Sequence, residues 1–220
     1  MIGIFQKDRK NKINNNLMLM ADLVEKQLLK AMDSLKRYDN NLVEEIIKDD
    51  DKVDKLHQII EEDCIKLIDT CQPVARDLRN IFAASKISTE LERMADYAVD
   101  ICKITFKIKG DWKTFSKEAS VLCEMAYEVR KMIGLSVNAY INGKADEANK
   151  ICKMDDKVDI LYENVFSDML KTLKEGEIES NLGTEILFIA KYIERIGDRV
   201  TNICEGIIYV RDGIYVDLNQ

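Results

Sequence analysis

One proline and nine glycines in 220 residues are too few for a turn-rich β protein, so long helices are expected from the outset. The single histidine, His57, belongs to no Glu-x-x-His motif, which removes the ligand set of a carboxylate-bridged metal oxidase in a four-helix bundle. No serine or cysteine is placed near it as a triad nucleophile would be, and no glycine-rich phosphate loop occurs. No apolar run reaches the roughly 18 residues needed to span a bilayer. The start, MIGIFQKDRKNK, lacks the apolar core of a secretory signal, so a cytoplasmic protein is expected. Basic charge is also short: 33 Lys and Arg against 40 Asp and Glu leave a net charge of −7, which argues against a nucleic-acid partner. The six cysteines form no CxxC pair and are read as structural thiols of a reducing compartment.

What the chain has is an internal repeat. Shifting it by 105 residues matches Met20-Ala21 to Met125-Ala126, Val24 to Val129, Ile46 to Ile151 and the first DKVD to the second. Further on the shift is 102, pairing Glu92 with Glu194, Asp96 with Asp198 and Cys102 with Cys204. Cys152 aligns with Ile47 and Cys123 with Met18, so these thiols are expected to replace core residues. A long-period repeat of this kind marks a duplicated supersecondary unit.

Each unit reads as three helices. Leu17, Met20, Val24, Leu28, Ala31 and Leu35 recur at helical spacing between Ile13 and Tyr38, and Met18 and Met32 are also assigned to the core. A second helix is expected from Leu42 to Thr70, with Asn40 or Asn41 as its cap. Pro73 is expected in the first turn of a third, running to Lys107. The second unit repeats this plan at 117–141, 144–173 and 178–211. The prediction is all-α: two pseudo-equivalent antiparallel three-helix bundles at 12–108 and 117–212, a linker at 109–116 and a loose tail from 213 to 220.

The acids follow the repeat. Asp50, Asp51 and Asp54 lie in DDKVDKL, and Asp155, Asp156 and Asp159 in DDKVDIL. Glu92, Asp96 and Asp100 follow in LERMADYAVDIC, and Glu194 and Asp198 in IERIGDRVTNIC. Residues four apart share a helix face. In a hairpin, positions equidistant from the bend are level. Asp54 with Glu92 and Asp50 with Asp96 are both centred on position 73, the turn. Asp159 with Glu194 and Asp155 with Asp198 are centred on the Gly176–Glu177 boundary, again a turn. Opposed carboxylates without thiolate or imidazole favour Mg²⁺, Ca²⁺, Mn²⁺ or oxidised iron over structural zinc. A scaffolding bundle whose acids simply stay solvated is the alternative.

The segments QPVARDLRNIFAASKISTELERMADYAVDIC and YIERIGDRVTNICEGIIYV resemble the PhoU family over residues 12 to 212. The resemblance implies two three-helix bundles and a multinuclear metal cluster, iron foremost with Mn, Mg, Ca or Zn behind it. The metal ligands it implies are Asp50, Asp54, Glu92 and Asp96 in the first half, extended by Asp100, and Asp155, Asp159, Glu194 and Asp198 in the second. It further implies negative regulation of the phosphate-starvation response through contact with the phosphate ABC transporter ATPase and a membrane sensor histidine kinase. Membrane association would come only through those partners, and a homodimer is expected. Three positions depart from the family pattern: Asn202 stands where Asp100 does, and Tyr97 and Arg199 stand where histidine is frequent. Arg93 and Arg195 are expected to pair with neighbouring acids or to pack their stems against the bundle. Arg76, Asp77 and Arg79 open the third helix, where Asp77 suits the positive helix start, and a partner-facing surface at the two arginines is the minor reading. Trp112 in the linker is expected to cover a bundle end.

Overall fold

The computed structural model describes residues 2–36, 40–108 and 116–218, and six helices account for nearly all of them. They are α1 (Ile2–Lys36), α2 (Asn40–Cys71), α3 (Ala75–Ile108), α4 (Ser116–Ile141), α5 (Ala145–Glu175) and α6 (Ser180–Asp212). The linker with Trp112 and the chain's last two residues lie outside the described residues.

α1, α2 and α3 pack on one another as one three-helix bundle, and α4, α5 and α6 as a second. The bundles meet along two seams, α3 against α6 and α1 against α4. Short connections force antiparallel neighbours. At the α5–α6 turn, Gly176 adopts the left-handed conformation (φ 71°) and donates to Leu173 O, while Glu177 N–H reaches Thr172 O, closing the helix with a glycine cap.

The apolar stripe expected on α1 is fully buried, with Leu17, Met20, Val24, Leu28, Ala31 and Leu35 at 0–2% exposure. Leu91, Ala95, Ala98 and Cys102 are likewise buried on α3. Two expectations fail for one reason. Met18 and Ile47 are 45% and 48% exposed, each one residue past a buried position, Leu17 and Ile46, and so turned about 100° off the stripe. Of the thiols aligned with them, Cys123 is only partly buried against the core, whereas Cys152 is buried in it as expected.

Pro73 also falls differently. It sits in the connection between Gln72 (φ 43°) and Ala75 (φ 46°), ahead of the helix rather than in its first turn. The residue before a proline is pushed out of the helical region, which ends α2 at Cys71. The tail has no regular structure, yet it folds back. Tyr215 stacks on Tyr209 with centroids 4.2 Å apart, and Leu218 N–H donates to Glu205 Oε1 at 2.9 Å.

Candidate functional site

The two acidic sites form where α2 faces α3 and where α5 faces α6. At the first, Asp50 is half-buried, and its carboxyl is pushed up to about 6, first by burial and then by the charges of Asp54, Asp96 and Glu92. The Gln27 amide, which reaches over from α1 and donates to Ile46 O at 3.3 Å, lies near enough to oppose the rise. Glu92 is raised as well, by burial and by Asp96. Asp100 lies one turn further along the same open groove with Asp50 and Asp96, paired with Lys103 at 3.0 Å. Arg93 does pair with neighbouring acids, Asp96 at 3.3 Å and Glu92 at 3.5 Å. His57 projects from the same face, its Nδ1 against Ser88 Oγ at 3.1 Å and its charge felt at Glu92.

The second site is deeper. Asp155, Asp159, Glu194 and Asp198 line one cavity of about 330 Å³ with Cys152, Thr201 and Leu218 of the folded-back tail. Asp155 is only 7% exposed, and its Oδ1 is buried without a hydrogen-bond partner. Burial, then Asp159, Asp198 and Glu194, push its carboxyl up to about 7. Asp159 and Asp198 are raised for the same reasons. Glu194 Oε1 accepts from Lys191 Nζ at 2.6 Å, while its Oε2 is buried and unpartnered. Asp51 is exposed, whereas Asp156, also exposed, lines the rim of the second cavity and its charge adds to the rise at Asp155 and Asp159.

Two residues explain the difference in depth. Gly197 occupies the α6 position that Ala95 holds on α3, and a Cβ built there would stand 2.3 Å from Asp155 Oδ1. The missing side chain is what lets Asp155 sink onto the helix backbone. Met132, buried on α4, replaces Gln27, so Asp155 has no amide to answer its charge. The sequence signal for Gly197 was visible in ERIGD against ERMAD, a glycine inside a helix where the other repeat has alanine.

Arg199 bonds across the α3–α6 seam while its charge still opposes the rise at Asp198. Its Nη1 donates to Glu90 Oε2 at 3.2 Å and its Nη2 to Tyr97 Oη at 3.4 Å, while Asn202 Nδ2 reaches the same Glu90 oxygen at 3.3 Å. Tyr97 stacks on Tyr192 at 5.6 Å, and Arg195 lies over the Tyr97 ring rather than pairing with an acid. The three departures, Tyr97, Arg199 and Asn202, thus build one contact between α3 and α6.

A duplicated helical hairpin carrying level acid pairs, with the ERxxD blocks on the two central helices, can be compared directly with known proteins. The PhoU domain family model matches residues 17–105 and 122–207. The chain belongs to the PhoU family. It is 42% identical over 99% of its length, and 98% of the relative's, to the phosphate-specific transport system accessory protein PhoU homolog of Clostridium acetobutylicum. The crystal structure of PhoU from Pseudomonas aeruginosa superposes with a TM-score of 0.87 at 26% identity, over 94% of this chain and 99% of that one. The phosphate transport system regulatory protein PhoU from Streptococcus pneumoniae gives 0.85 at 24% identity, over 96% and 99%, which speaks for the fold.

The residues present suit a hard cation in chemistry: all-carboxylate donors, orphaned buried oxygens at Asp155 and Glu194, and burial with mutual repulsion that raise Asp50, Glu92, Asp155, Asp159 and Asp198. Among the described residues no three His, Cys, Asp or Glu side chains converge closely enough to hold a metal ion as they stand. Side-chain rotation, which surface carboxylates make freely, is what convergence would require.

Proposed function

We propose that this chain is an accessory regulator of phosphate transport that takes hard cations at its two acidic sites and works by protein contact rather than catalysis. Family membership supports the role, since a relative matched over almost the whole length bears the name of a transport-system accessory protein. The observation that carries the cation reading is the same opposed acid pair built twice, with the Asp50 and Asp155 carboxyls both pushed up, first by burial and then by the carboxylates around them.

Asp50, Asp54, Glu92 and Asp96, with Asp100 beside them, would hold the first ions, and Asp155, Asp159, Glu194 and Asp198 the second. A bound cation, iron foremost and Mn, Mg, Ca or Zn after it, would cancel the repulsion among them. The chain's own part is to set two facing helices so that their acids meet. In this reading it is a cytoplasmic homodimer and a negative regulator of the phosphate-starvation response. It contacts the phosphate ABC transporter's ATPase and a membrane sensor histidine kinase, and reaches the membrane only through them. Among the described residues no helix is long and apolar enough to cross one.

The test is the metal content of protein purified without chelator or affinity-tag histidines, beside the paired variants Asp54→Ala/Glu92→Ala and Asp159→Ala/Glu194→Ala. Several ions per chain, lost repeat by repeat, support the sites. A metal-free, fully helical wild type sinks the cation reading, and failure to be retained by the transporter ATPase sinks the contact.

A further inference from the structure

Well away from both acid sites, a cavity of about 370 Å³ opens where α1, the start of α3, the α4–α5 turn and the end of α6 meet. Its ionised lining reverses the sign of the chain. Lys10, Arg76 and Arg211 face a single carboxylate, Asp77, in a protein of net charge −7. Arg211 is already engaged by Asp146 at 2.7 Å and by Asp212 at 2.7 Å. Lys10 and Arg76 have no carboxylate partner among the described residues. Both are exposed, so neither has been neutralised by burial.

The wall between them is organised. Tyr140 is 5% exposed, and its hydroxyl donates to the backbone oxygen of Asn80 at 2.8 Å, with Oδ1 of the same residue at 3.1 Å. Burial holds that phenol above its ordinary range, so it stays a neutral donor. With Oδ1 turned to the tyrosine, the Asn80 amide nitrogen is left over as a donor on a residue lining the cavity. α5 opens at Ala145, another lining residue, but its first turn already carries Asp146 and Glu147, so the helix end adds no free positive charge to the wall. The ligand is set by the cavity and its two cations, Arg76 and Lys10.

We infer that this cavity binds a phosphoryl-type oxyanion, with Arg76 and Lys10 as its charged ligands and Asn80 as a neutral donor. A guanidinium suits two oxygens of such a group at once, and the Lys10 ammonium adds a point charge from α1. The anion is either a free ion or the phosphoryl group of a larger molecule; the cavity chemistry is shared, and size alone separates them. This inference stands apart from the cation reading, because no residue belongs to both.

The test is titration calorimetry of chelator-treated full chain at low ionic strength with inorganic phosphate and, in a second arm, with ADP. Removing metal keeps phosphate from binding through ions at the acid sites. The expected result is saturable binding in at least one arm, weakened about tenfold or more by Arg76→Gln and by Lys10→Gln, and unchanged by Arg93→Gln. Tighter phosphate marks a free ion, and tighter ADP marks an esterified group. Absence of saturable binding in both arms at millimolar concentrations overturns the inference. So does equal affinity in Arg76→Gln with its helicity intact, since Arg76 is exposed and its loss leaves the core untouched.

Discussion

Asp155→Asn isolates the cost of one buried charge. In metal-free protein the wild-type carboxyl titrates near 7 instead of 3.8. A raised folded-state value means that the stability it contributes is complete below pH 3.8 and is lost as pH rises through about 7. The whole difference is worth about 4 kcal/mol. Asparagine keeps the shape and removes the charge, but its amide meets the same place where Oδ1 now lacks a partner. Leaving that group unsatisfied costs about 1–3 kcal/mol. The variant should therefore be more stable than wild type by about 1–3 kcal/mol at pH 8, or roughly 5 °C in melting temperature. Below pH 4 the order should reverse, with asparagine the less stable by about 1–3 kcal/mol. Urea unfolding followed by circular dichroism, on chelator-treated protein from pH 3 to pH 8, reads both ends. Parallel stability curves for the two proteins across that range would refute the buried-charge account of the second site.

Gly197→Ala should drive Asp155 off the α6 backbone and return its titration midpoint toward ordinary carboxylates, read by NMR of the side-chain carboxyl carbon; a midpoint still near 7 contradicts the close approach. Arg199→Ala should cost about 1–2 kcal/mol, because Glu90 keeps only Asn202, and a double-mutant cycle with Glu90→Ala should return a coupling of at least about 0.5 kcal/mol. Zero coupling would remove the ion pair from the seam. In thiol titration of native protein, Cys71 and Cys123 should react first, while Cys64, whose thiol burial pushes up to about 12, should react only on unfolding.

Helical periodicity and the repeat made the fold legible, because both are written in positions along one chain. Level pairing of the acids followed from the same arithmetic: after Asp54 of its own helix, Asp50 feels Asp96 and Glu92 across the hairpin, and after Asp159, Asp155 feels Asp198 and Glu194. What pattern alone did not show is what lies across a packed face. Gln27 acts on Asp50 from a third helix, Gly197 matters only for what approaches it, and Arg199 spends its hydrogen bonds across the seam on Glu90 and Tyr97. Arg76 was read from its place at a helix start, but the cavity it lines is closed by α1, α4 and α6, which no local window contains.

The α3–α6 seam carries a record of its own making. Glu90 and Tyr192 are equivalent under the repeat, and so are Tyr97 and Arg199. The contacts run Glu90 to Arg199 and Tyr192 to Tyr97, each position of one type meeting the other type across the seam. That is the rule of a two-fold homodimer, here enclosed within a single polypeptide. Once joined, the two copies of the rule drifted apart, one becoming an ion pair and the other a ring stack. Halves of this protein made as separate chains would consequently prefer each other to themselves. First halves alone would set glutamate against tyrosine twice, and second halves alone would set tyrosine against arginine twice. Covalent fusion here has turned a self-recognising surface into a lock and its key.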